Sequence, residues 1–319
     1  MKLWEGQKWR RLLLTCATGL GKTVIFCHTA KAMNARTLIL AHRDELCSQA
    51  AVKMEAIWPE AGVGIVKADK NQVLAQVVVA SVQTLARPER LAQMPRFDLI
   101  IVDEAHHAPA KTYRDILKAL GAWEPDGPLV VGVTATPKRA DDLGLDSVFQ
   151  KVAYSKGLLE GIREGYLTDL VGKRIKADLD LSGIKLVAGD YDERQLAQAV
   201  NREAFNNLVV EAYKREAPGR LAVVFTCSVE HAQAVAEAFC AAGIPAAHVD
   251  GEMKESKRKA VLDDFHHGRL RVITNCQLLT EGWDEPAIDC VIMARPTRSQ
   301  TLYIQAVGRG ARPFPGKEN

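Results

Sequence analysis

Between an apolar run, Leu12-Leu13-Leu14-Thr15, and a helical stretch from Val24 to Met33 lies the segment Cys16-Ala17-Thr18-Gly19-Leu20-Gly21-Lys22-Thr23. A glycine-bearing turn between a strand and a helix lets backbone N–H groups wrap a phosphate at the positive end of the helix, while Lys22 supplies charge and Thr23 a hydroxyl for Mg²⁺. The strict pattern has glycine where Cys16 stands, so the strand–loop–helix context carries the reading. This segment restricts the fold more than any other, because such a loop needs a parallel sheet covered by helices.

The rest of the chain keeps that rhythm. Up to about position 155, β-branched runs alternate with amphipathic stretches, which implies βαβ units. The expected strands are Leu12–Thr15, Thr37–Leu40, Val77–Ala80, Leu99–Val102 and Leu129–Val133, near-continuous apolar runs of the kind buried on both faces. From 156 to 205 charge rises and periodicity weakens, so a connector is expected there, ending in a helix over 193–210. Strands return at Leu221–Phe225, Ala246–Val249, Val272–Thr274 and Cys290–Met293. The expected organisation is a phosphate-binding lobe over 1–155, the connector, and a second lobe over 206–319. The 319 residues, about twice the usual single-domain length, supply two cores.

Composition narrows the classes further. Hydrophobic residues make up 47% and charged residues 25%, which excludes a disordered chain. The net charge of +3 demands neither a nucleic-acid nor a membrane partner, so any basic surface must be local. No run approaches the roughly 18 apolar residues that cross a bilayer. The seven cysteines form no CxxC pair and read as core residues in a reducing compartment, and the first residues lack an export signal, so the cytoplasm is the expected location.

A second apolar strand runs into Asp103-Glu104-Ala105-His106-His107. Two carboxylates at the end of a strand in the same sheet as a phosphate loop can hold Mg²⁺ through Asp103 and polarise an attacking water through Glu104. That combination points to hydrolysis of a nucleoside triphosphate.

With these residues in place the chain resembles the superfamily 2 DEAD/DEAH-box helicases and translocases, in the branch of RadD-like proteins and type III restriction-subunit-like helicases. Ala41-His42-Arg43-Asp44-Glu45-Leu46 is similar to the family's motif Ia, Ser81-Val82-Gln83-Thr84-Leu85-Ala86 to motif Ic, and Thr134-Ala135-Thr136 to motif III. In the second half, the run Val224 to Ala232 resembles motif IV and Leu279-Thr280-Glu281-Gly282-Trp283-Asp284 resembles motif V. Gln305-Ala306-Val307-Gly308-Arg309-Gly310-Ala311-Arg312 fits the motif VI pattern, expected on a helix with Arg309 and Arg312 on one face.

The resemblance implies an α/β protein of two RecA-like P-loop NTPase lobes, each a mostly parallel sheet flanked by helices, using ATP and Mg²⁺. It implies that Thr18, Gly19, Gly21, Lys22, Thr23, Gly282 and Asp284 bind nucleotide and that Thr23 and Asp103 hold the metal. Glu104, His106, Gln305, Arg309 and Arg312 then act in catalysis, the arginines by neutralising charge at the γ-phosphate. Arg43, Thr84 and Thr280 are expected to meet nucleic-acid phosphates, whereas Trp283 is expected to pack. Few aromatic residues interleave with basic ones, so backbone tracking is expected rather than base stacking.

DNA is the expected partner, with RNA as the alternative substrate. A third reading is a truncated nucleic-acid-binding module with little ATPase activity, completed by a partner protein or a missing C-terminal module. The 21 residues before Lys22 hold no match to the family's adenine-recognition segment, and the chain stops soon after motif VI. Truncation at both ends and weak discrimination among nucleotides are the corresponding expectations.

Overall fold

The computed structural model describes residues 9–135, 144–187, 189–280 and 282–317. The chain divides into two compact units, Met1–Leu158 and Leu159–Asn319. Nearly all of the stretch expected as a connector therefore lies within the second unit. Thr136 of the motif III segment and Glu281 of the motif V segment lie outside the described residues.

The first unit contains β1 (Arg11–Cys16), α1 (Lys22–Met33), β2 (Thr37–Ala41), α2 (Asp44–Ile57), β3 (Val63–Lys67), β4 (Lys70–Asn71) and β5 (Val77–Ser81). It continues with α3 (Val82–Leu85), α4 (Pro88–Leu91), β6 (Leu99–Asp103), α5 (Lys111–Ala119), β7 (Leu129–Thr134) and β8 (Lys151–Lys156). The strands form one sheet in the order β4-β3-β5-β2-β6-β7-β1-β8. Every pairing is parallel except that of β3 with β4.

The β2, β5, β6 and β7 runs are buried along their whole length, which is why their sequences show no polar alternation. Alternate side chains still go to opposite faces. Leu38, Leu40, Val78, Ile100 and Val102 pack with Ile116 and Leu117 of α5, whereas Ile39, Val77, Val79 and Ile101 pack with Phe26 of α1 and Met54 of α2. In this unit the strands not anticipated are β3, β4 and β8. Gly64 interrupts β3, and the edge strand β8 is largely exposed, so neither carries a continuous apolar run.

The second unit holds α6 (Leu158–Arg163), β9 (Leu186–Val187), β10 (Asp190–Tyr191), α7 (Glu193–Val200), α8 (Glu203–Glu216), β11 (Ala222–Phe225) and α9 (Val229–Ala241). Then follow β12 (Ala246–Val249), α10 (Glu255–His266), β13 (Val272–Asn275), β14 (Cys290–Met293) and α11 (Gln300–Val307). Its main sheet is all parallel, in the order β12-β13-β11-β14, and β9 with β10 forms a separate antiparallel pair. Val224 and Val272 pack with Val209 of α8 and Phe239 of α9, while Val223 and Ile273 face Phe265 of α10 and Ala306 of α11.

The single helix expected over 193–210 is two. Asp192 caps α7 by accepting from Gln195 N at 3.0 Å, and Asn201 ends it, its Oδ1 accepting from Asn206 Nδ2 at 3.1 Å. Asparagine is a poor helix former, which fits the break at this position. No helix among the described residues is long and apolar enough to cross a membrane.

Candidate active site

The loop after β1 and the loop after β6 open on the same end of the first sheet, the carboxyl ends of its parallel strands, with β7 between them. That end is where open α/β sheets bind ligands. Gly19 and Gly21 take φ of 91° and 74°, left-handed values that glycine adopts without strain, and so turn the chain sharply into α1. Gly21 is the N-cap of α1, and no side chain caps that end. The first helical amides thus face the loop. Thr18 is buried, and Thr23 lies in the first turn of α1.

Lys22 Nζ reaches back to Glu104 Oε1 at 3.6 Å, both side chains being nearly enclosed. Asp103 ends β6, and its Oδ1 accepts from Glu104 N at 2.9 Å. Burial, and then the charge of Glu104, push the Asp103 carboxyl well above its ordinary range, while Lys22 and His42 pull it back. Glu104 itself has φ 48°, a left-handed conformation that costs a non-glycine residue energy and collects at functional sites. It starts the short helical turn Ala105–His107. Buried His106 lies with Nδ1 3.5 Å from Glu104 Oε2 and 3.1 Å from the Thr134 hydroxyl at the end of β7. The structure therefore brings together Lys22, Asp103, Glu104 and His106, and adds Thr134, which the motif III segment pointed to without a role.

The candidate nucleic-acid contacts occupy the neighbouring loops at the same end, after β2 and β5. Arg43 is half-buried at the N-cap of α2. Thr84 differs from expectation: it is buried, and its hydroxyl accepts from Ala68 N at 3.3 Å. Gln83 is the exposed side chain of that turn, and its Nε2 donates to the His42 carbonyl at 2.5 Å.

In the second unit the motif V and motif VI segments hold each other. Arg309 Nη1 donates to the Trp283 carbonyl and Nη2 to the Thr280 carbonyl, and Arg312 Nη1 pairs with Asp284 Oδ1. Gly282 takes φ 73°, a left-handed value that glycine adopts without strain. Thr280, expected on the surface, is buried with its hydroxyl donating to Gln277 O at 2.6 Å. The motif VI expectation needs a further correction. α11 ends at Val307, so Gln305 is helical and buried, whereas Arg309 and Arg312 follow the helix in turns. Gly308 and Gly310 explain the break, since glycine is the weakest ordinary helix former. Trp283 packs on Phe265, with ring centroids 5.9 Å apart.

The profile described as Type III restriction enzyme, res subunit matches residues 2–139, and that of the Helicase conserved C-terminal domain matches residues 201–313. The chain belongs to the superfamily 2 helicases. This superfamily 2 chain is 34% identical to the Saccharomyces cerevisiae protein named "Putative ATP-dependent helicase IRC3", over 97% of its own length and 47% of that protein. It is 25% identical to the "DNA 3'-5' translocase XPB2" of Sulfurisphaera tokodaii, over 97% of its length and 76% of the relative. The solved structure of the "ATP-dependent Type ISP restriction-modification enzyme LlaBIII bound to DNA" shares the fold at a TM-score of 0.69 and 21% identity, covering 97% of this chain and 26% of that one. The helicase chain thus spans about half the length of IRC3.

Proposed function

We propose that the chain is a nucleic-acid-stimulated ATPase that moves along or unwinds DNA. The observation that carries this reading is the Lys22–Glu104 pair at 3.6 Å beside buried Asp103, at the carboxyl ends of β1 and β6. A triphosphate entering against the amides of the loop and of α1 would take Lys22 from Glu104. Glu104, released, would then orient the attacking water and accept its proton. His106 and Thr134 would hold the Glu104 side chain in line.

Thr23 and Asp103 would hold Mg²⁺, which when bound neutralises charge on the phosphate oxygens. The raised Asp103 carboxyl fits that role, because two adjacent carboxylates that resist joint ionisation are relieved by a cation. Arg309 and Arg312 would exchange the carbonyls and carboxylate they now hold for phosphoryl oxygens during turnover, an effect worth about 10³ to 10⁵ in rate in P-loop enzymes.

DNA rather than RNA is favoured by the name of the 25% identical translocase, of which the chain covers 76%. The seven cysteines, all free thiols, favour a reducing compartment such as the cytoplasm. The test is steady-state ATP turnover with Mg²⁺, alone and with single-stranded DNA or RNA of one sequence. Stimulation by DNA exceeding that by RNA is expected, and turnover indifferent to both polymers contradicts the reading.

A further inference from the structure

Two side chains at the carboxyl end of the first sheet have been given no step in the proposed reaction, His107 and His42, the latter known so far only for its pull on the Asp103 carboxyl. The strands there run in the order β5-β2-β6-β7-β1, so the loop after β6, which carries Glu104, stands between the phosphate loop and the loops that carry Arg43 and Gln83. His42 follows β2 and His107 follows Glu104 by three residues, and their ring centroids are 4.3 Å apart, tilted by 58°. His107 in turn lies 4.2 Å from His106 at 44°. His106 is the side chain that lies 3.5 Å from the Glu104 carboxylate. Three imidazoles thus form an unbroken packed row from the β2 loop to the base.

The outer end of the row is tied to half-buried Arg43 and exposed Gln83, side chains of the β2 and β5 loops. Arg43 Nε donates to His42 Nε2 at 3.3 Å, and Gln83 Nε2 donates to the His42 carbonyl at 2.5 Å. An anion engaging Arg43 or Gln83 must therefore pull on His42. From the α5 side, Tyr113 lies nearly parallel to His107, 6.5 Å away at 17°. A row packed at such distances passes displacement on rather than absorbing it, since protein interiors are as dense as molecular crystals. At its inner end Glu104 sits in a left-handed conformation, where a small shift of the turn redirects the carboxylate.

We propose that His42 and His107 are positioning residues that transmit occupancy of the β2 and β5 loops by a nucleic-acid phosphate backbone to Glu104, and so set how strongly that polymer stimulates ATP hydrolysis. The proposal rests on the ATPase reading above and deepens it.

The experiment measures ATP turnover at saturating ATP, without and with saturating single-stranded DNA, in the full chain and in His42→Ala, His107→Ala, the double variant and His107→Phe. DNA binding is followed in parallel by fluorescence anisotropy. The readout is the ratio of stimulated to unstimulated turnover, which cancels differences in the folded fraction. Each alanine variant is expected to lower the ratio about 5- to 10-fold, the double variant no further than either single, and His107→Phe to restore most of it by keeping a ring in the row. A role limited to packing would leave the ratio unchanged in the single variants, or make their losses multiply in the double variant, and either result overturns the proposal. A parent chain that DNA does not stimulate overturns the ATPase reading together with this one. A stimulated parent with unaffected variants overturns this one alone.

Discussion

Lys22 Nζ stands 3.6 Å from Glu104 Oε1, so the cation proposed to grip a triphosphate and the carboxylate proposed to activate water hold each other. On the proposed mechanism, phosphate binding and release of the base would be one exchange, in which the incoming anion displaces Glu104 from Lys22.

Removing the competitor should favour binding while stopping chemistry. Glu104→Gln is expected to bind a non-hydrolysable ATP analogue about fivefold more tightly, the equivalent of about 1 kcal/mol, and to lower turnover by about 100-fold or more. Isothermal titration beside a phosphate-release assay checks both. Weaker analogue binding in this variant would mean that Glu104 assists Lys22 rather than competing with it.

Arg309 has a structural role as well as the proposed catalytic one, because its guanidinium serves the Thr280 and Trp283 carbonyls together. An ammonium group cannot fork in this way. Arg309→Lys is therefore expected to cost about 1–3 kcal/mol of stability and to reduce ATP turnover despite the retained charge. Chemical denaturation and turnover measured on one preparation give the answer. A variant as stable and as active as the parent would show that charge alone suffices at this position.

Gly132 in β7 leaves room for the Phe149 ring and for Ala105, next to Glu104. A Cβ at 132 would come within 2.9 Å of Ala105 Cβ and closer still to Phe149. Gly132→Ala is expected to destabilise the protein by about 1–3 kcal/mol and to reduce turnover through displacement of the Glu104 turn. An unchanged melting temperature would show that Phe149 repacks freely.

The second unit should lose stability in mild acid. His231 is fully buried, its Nδ1 accepts from Cys227 N at 3.2 Å, and burial holds its pKa down to about 4 from 6.5. The unfolded chain therefore binds a proton between pH 6.5 and 4 that the folded chain does not, so the contribution is present above pH 6.5 and lost as pH falls toward 4. The loss amounts to about 3 kcal/mol at most. Urea denaturation of the parent and of His231→Asn at pH 7.5, 6 and 5 measures it. The pH dependence should flatten in the variant, and equal slopes would remove His231 as its source.

Much of this was legible in the sequence, and what was not has physical reasons. The phosphate loop and the Asp103-Glu104 pair could be read because their chemistry depends on residue type and on the strand before each. The central strands could be read because burial on both faces leaves runs of Leu, Ile and Val. Strand β3, interrupted by Gly64, and the edge strand β8 gave no such signal. The helix under motif VI was overextended because two glycines weighed less than the pattern around them. The inward turn of Thr84 and Thr280 was hidden because a threonine whose hydroxyl meets a backbone group, in the turn after β3 for Thr84 and in its own loop for Thr280, has the same sequence as one facing solvent. The row of His42, His107 and His106 joins residues more than 60 positions apart and exists only once β2 and β6 lie side by side.

Lys22 is the group proposed to hold the triphosphate for hydrolysis. The most direct measurement is steady-state ATP turnover by the 319-residue chain and by Lys22→Ala, with Mg²⁺ and saturating single-stranded DNA. Turnover in the parent, reduced to background in the variant while its melting temperature stays within a few degrees of the parent's, is the predicted result. Equal turnover in both chains would contradict it.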